Sequence, residues 1–185
     1  MISQQEASSV LRDVEATQTR TVRSGLYAAA SPHLLLWGAV WACGYALCQF
    51  TGAEQWPIVW GVLTATGVAA AFLLSWRQGR GHDRRDRSVG AIAIMTLTVG
   101  LFIIASLVLF APVDPRAALA FPSLVMGLVY IMMGYSAMPR LAVVGAGIAA
   151  VVMAGFLLTP EWTALFAAAA GGGGLMLGGL WLREA

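Results

Sequence analysis

His33, Trp37, Trp41, Tyr45 and Gln49 recur every four residues along one apolar stretch, and of all the residues in this chain they come nearest to a ligand site. On a helix each step of four advances about 40°, so the five side chains form one slowly winding ridge. An aromatic ridge with polar ends suits a quinone, a lipid or another flat ligand, and a histidine can also hold heme iron. The second histidine, His82, lies in an arginine-rich stretch, so the sequence does not offer two helix-borne axial ligands for one heme. The same ridge, with the small residues Gly38, Ala42 and Ala46 beside it, is also what a helix needs to pack between two neighbours. Packing is the preferred reading, and no cofactor is expected.

The other reactive groups are sparse. Cys43 and Cys48 are the only cysteines. Five residues apart on one helix they point about 140° away from each other, so they can neither pair nor clamp one metal. The run 77–87 carries Arg77, Arg80, Arg84, Arg85 and Arg87 against Asp83 and Asp86. Such a basic loop suits anionic headgroups or an acidic partner, and it also fixes topology. Its arginines repel cations, so His82 with Asp83 and Asp86 is not expected to bind a metal. There is no His-Glu-x-x-His, no Gly-x-Ser-x-Gly and no pair of carboxylates inside an apolar run. The chain is therefore not expected to be an enzyme.

The elements that hold these residues are set by hydropathy. The chain is 59% hydrophobic and 11% charged, far from the roughly one-quarter charged residues of soluble domains. Apolar runs cover about 33–51, 57–76, 89–111, 117–138, 141–159 and 162–182. Each matches the ~20 residues that a bilayer-spanning helix needs. Between them stand turn residues such as Thr51-Gly52, Pro112-Val113-Asp114-Pro115, Met138-Pro139 and Thr159-Pro160, with Pro139 the weakest boundary because membrane helices tolerate proline. The predicted fold is an all-α, six-helix membrane bundle over 33–185, preceded by an N-terminal arm over 1–32. In that arm Ser3 and Glu6 have capping-box spacing, and a thin apolar stripe predicts a short amphipathic helix. Ser31 and Pro32 are expected to cap and start the first crossing. Small residues at Ala146, Ala150 and Ala154, and at Gly174 and Gly178, predict close helix packing in the last two crossings, inside one protomer or between copies. The glycine run 171–174 predicts a close crossing point or a local distortion.

Every basic residue is an arginine, a usage that points to a GC-rich bacterial genome. Arg12, Arg20, Arg23, the 77–87 cluster, Arg140 and Arg183 occupy one alternating set of gaps, and Arg116 alone lies on the other. The positive-inside rule then places both termini in the cytoplasm. The expected protein is a multi-pass component of a bacterial inner membrane that acts by association, as an accessory or regulatory subunit or as a homo-oligomer. Its expected partners are the lipid bilayer and a membrane protein or a second copy, and not nucleic acid. The alternative is a small channel for neutral or apolar solutes, lined by Thr64, Thr66, Thr96, Thr98, Ser106, Tyr130 and Tyr135.

Overall fold

The computed structural model describes residues 4–79, 86–136 and 138–183. Among these the chain is helical almost throughout, with no strand. The helices are α1 (Gln4–Phe50), α2 (Trp56–Gly79), α3 (Asp86–Leu109), α4 (Pro115–Ser136) and α5 (Pro139–Leu158), followed by a terminal rod. That rod is built from α6 (Thr163–Ala167), a π-helical segment (Ala168–Gly173) and α7 (Gly174–Arg183).

Five segments are long and apolar enough to cross a bilayer: Ser24–Phe50, Ala53–Arg77, Pro115–Tyr135, Pro139–Leu158 and Pro160–Arg183. The shortest, of 20 residues, spans about 30 Å at 1.5 Å per residue, the thickness of the hydrocarbon core. The crossing predicted over 89–111 falls in α3, whose apolar part among the described residues is the shorter Leu97–Leu109. Phe50, Phe72, Val108, Leu109 and Phe110 are each more than two-thirds exposed. So much contiguous apolar surface is foreign to a water-soluble monomer but suits lipid. This is an all-α, multi-pass membrane bundle.

In lipid the helices cannot be driven together by the hydrophobic effect, so close packing and hydrogen bonds must do it. The core follows that rule. The tightest pair is α4 with α5, where Gly145 faces the carbonyl of Gly127, and Gly134 faces Ala142 with no room for a side chain between them. The terminal rod lies along α1. There a Cβ on Gly172 would come within 2.5 Å of the backbone nitrogen of Ala42. On the outside, α2 leans on α1 through Trp60 against Gly44, and α3 touches α4 through Phe102 and Phe121, whose rings are 6.4 Å apart.

One sequence expectation meets a correction. No helix starts at Ser31-Pro32: α1 runs unbroken from Gln4 to Phe50 with Pro32 inside it. Ser31 caps nothing and instead donates to the carbonyl of Gly179 on α7 at 2.6 Å, so a residue typical of helix starts serves as a bridge between helices. The buried face of α5 is Leu141, Gly145, Ile148, Val152 and Gly155. Ala146 and Ala150 lie on its exposed side and Ala154 is half-buried, because the neighbouring α4 offers glycines that call for Gly145 opposite. The Pro139 boundary is a true break, with Pro139 in the first turn of α5 after a non-helical Met138. Ser3 lies outside the described residues.

Candidate functional site

The ridge on α1 is packed along its length by other helices. Trp37 covers Gly67 of α2, and Trp41 abuts Gly171 in the π segment. Tyr45 is 1% exposed and stands edge-on to both Trp41 and Trp60, with ring centroids 5.8 and 4.9 Å away. Its hydroxyl oxygen accepts from Ser123 Oγ of α4 at 3.0 Å. Gln49 Nε2 donates to the carbonyl of Glu161 at 3.1 Å, tying the end of α1 to the start of the terminal rod. His33 is half-buried and engaged. Among the described residues no buried side-chain nitrogen or oxygen lacks a hydrogen-bond partner.

The small residues beside the ridge mark where backbones meet. Gly38 lies against Met176 and the carbonyl of Gly172, and Ala42 against Gly172 itself. Gly174 faces Ile148, and Gly178 faces Val144. The π segment is what fits α1 here. A π-helix widens the turn by one residue, and this one presents the buried Gly171 and Gly172 to Trp41 and Ala42 at closest approach.

The two ends of the bundle differ in charge. At one end Arg140 Nη1 donates to the carbonyl of Trp181 at 2.8 Å, and Arg183 Nε donates to Ser31 Oγ at 3.0 Å. The Arg140 guanidinium lies 5.0 Å from the ring centre of Trp181 and 5.9 Å from that of Tyr27. At the other end, beyond Gln49, stand Glu54 and Glu161. In the turn before α4, Asp114 accepts from the Arg116 backbone N–H at 2.8 Å and pairs with its guanidinium at 2.9 Å. These contacts from Arg116 hold the Asp114 carboxyl below its ordinary range.

Cys48 is buried and Cys43 exposed, both unpaired. Among the described residues no three His, Cys, Asp or Glu side chains gather as a metal site would require. In the basic loop Arg77 is exposed, Arg80, His82, Asp83, Arg84 and Arg85 lie outside the described residues, and so does the side chain of Arg87. The hydroxyls proposed to line a channel are dispersed. Thr64, Thr66, Thr98 and Tyr135 are exposed, Tyr130 packs at the edge of the core, and the side chain of Thr96 is not among those described. Thr66 and Ser106 donate to carbonyls of their own helices, a usual satisfaction of hydroxyls in membrane helices.

Sequence reasoning did not single out Tyr27, Ser31, Trp60 and Ser123 as parts of the seams. Tyr27, Ser31 and Leu34 already carry a signal, since buried residues at i, i+4 and i+7 define one face continuous with Gly38. Gly127 and Gly134, seven apart, carry the equivalent signal on α4. Compared with known protein families, curated proteins and solved structures, the chain matches none.

Proposed function

We propose that this chain is a non-enzymatic subunit of a bacterial inner membrane that works by association, either with a membrane protein it supports or regulates or with further copies of itself. The observation that carries the reading is the unequal packing of the helices. α1, α4, α5 and the terminal rod enclose the core, whereas α2 and α3 lean on its edge and turn most of their apolar length outward. Gly61 and Gly100 sit within those outward helices with nothing near their absent side chains. Small residues facing away from the chain's own core leave room for another helix to approach closely.

We read both termini as cytoplasmic. The reading draws on the alternating arginines and on the gathering of Arg140 and Arg183 at one end, with Glu54 and Glu161 at the other. The side chains of the ridge already have protein partners, which favours a structural role for it. The solute-channel alternative gains nothing from hydroxyls that are spread over exposed surfaces and bonded to their own helices.

The test is mild-detergent purification of the tagged chain from its native membrane, followed by native mass spectrometry. A stoichiometric second protein, or a discrete homo-oligomer, is the expected result. A chain that elutes as a monomer alone, at concentrations where membrane subunits stay assembled, would overturn the reading.

A further inference from the structure

The end of the bundle that holds Arg140 and Arg183 carries more hydrogen-bonding capacity than the protein uses. A guanidinium has five N–H donors. Arg140 gives one to the Trp181 carbonyl, and Arg183 gives one to Ser31 Oγ. Neither guanidinium pairs with a carboxylate among the described residues, where Asp114–Arg116 is the one ion pair. Both are nevertheless held in place: Arg140 between the rings of Trp181 and Tyr27, and Arg183 on a serine that is itself bonded to Gly179. Tyr27 and Ser31 are one turn apart on α1, so the anchors of the two arginines stand about 6 Å apart along that helix. Beside them α5 begins with no side-chain cap.

Directly below Arg140 lies an apolar groove of about 400 Å³ between α5 and the terminal rod, lined by Val143, Gly147, Val151, Ala170, Gly174 and Leu177 among others. Arg140 shares a helix face with Val143 and Gly147, following the i, i+3, i+7 rule, and Trp181 extends the face of Gly174 and Leu177. The groove therefore runs toward Arg140, and Arg183 is anchored on α1 at the same end of the bundle. A soluble anion would explain the cations but not the groove, and a hydrocarbon tail would explain the groove but not the cations.

We infer that Arg140 and Arg183 bind the phosphate of an anionic phospholipid whose acyl chain lies in the α5–terminal-rod groove. Arg140 is the principal contact and Arg183 adds the second charge. Paired basic groups between membrane helices are well suited to anionic headgroups, and charge-assisted hydrogen bonds to phosphate are the strong ones.

The experiment is native mass spectrometry of the full-length protein titrated with phosphatidylglycerol and, separately, with phosphatidylcholine of the same chains. Phosphatidylglycerol should bind about tenfold more tightly, because phosphatidylcholine carries the same phosphate beside a trimethylammonium that the two guanidiniums repel. Arg140→Gln should remove that preference, and Arg183→Gln should reduce it. Gly147→Phe, at a position with open space above it, should fill the groove and weaken both lipids while leaving the helical fold intact by circular dichroism. Inorganic phosphate should not displace the lipid; full displacement would mean a soluble-anion site and would overturn the assignment. Equal binding of the two lipids, or an Arg140→Gln protein with unchanged preference, would also sink it. The same spectra report the oligomeric state, so this inference and the association reading stand or fall separately.

Discussion

At Gly172 the terminal rod meets α1 so closely that a single methyl group decides whether the two can pack. Its Cβ would meet backbone atoms of Ala42, which cannot step aside as the tip of a flexible side chain could. Gly172→Ala should therefore lower stability by about 1–3 kcal/mol or more, the range of overpacking in a dense core. Gly147→Ala, with nothing within 4 Å, should instead be neutral or raise stability by about 0.5–1 kcal/mol through helix propensity. Thermal unfolding of both variants in one detergent gives the comparison; equal shifts would contradict the packing described. The Ser123–Tyr45 hydrogen bond is a second residue-scale device. A double-mutant cycle with Tyr45→Phe and Ser123→Ala should return a coupling of about 0.6 kcal/mol, typical between membrane helices. The sequence shows both partners, but Ser123 lies 78 residues from Tyr45, and a one-helix periodicity cannot name a partner on another helix. Ala146 and Ala150 face away from the chain's own core, since small-residue spacing reports a smooth face but not whether a helix of the same protomer or of a second copy meets it.

At the scale of elements, the helices and most of their ends were legible because hydropathy and proline act locally. Pro139 and Pro160 open new helical segments, while Pro32 and Pro122 lie inside helices. A proline inside a membrane helix is tolerated because side chains, neighbouring helices and local adjustments can satisfy the backbone groups it frees. The π segment was legible only as an odd glycine run, since its geometry is set by Trp41 and Ala42 on another helix. One extra residue makes a π turn. Deleting Gly173 should restore a regular helix, disturb the fit of Gly171 and Gly172 to Trp41 and Ala42, and lower the thermal midpoint. Deleting Val152, fully buried in α5, should rotate the rest of that helix away from its partners and abolish the folded species on size exclusion. At the start of α4, Asp114 receives the Arg116 N–H and guanidinium. Its lowered pKa means that the stabilisation is complete above the free carboxylate's pKa of about 3.9 and is lost as pH falls through the folded value. Asp114→Asn should therefore unfold at a lower temperature than the parent at pH 7, with the gap closing in acid. A gap that does not change down to pH 2 would remove the charge from the explanation.

For the molecule as a whole, membrane residence follows from composition, and the charge asymmetry of the two ends follows from the arginines. The placement of α2 and α3 at the edge does not, because their hydropathy resembles that of α4 and α5, and a sequence in lipid does not mark inside from outside by polarity. If those edge helices carry the association, replacing Gly61 and Gly100 with leucine should shift the native mass distribution toward monomer without changing the thermal unfolding of the monomer itself. The joining of the first helix to the last has a further consequence. Ser31 reaches Gly179, Gln49 reaches Glu161, and the face of α1 between them is covered by residues 163–183. A chain is made and inserted from its N-terminus, so this face waits in the lipid, bare of its own partner, through the synthesis of four further helices. During that interval α1 is open to pairing with foreign helices or with an insertion factor, and the emergence of the terminal rod from the ribosome is the step that ends it.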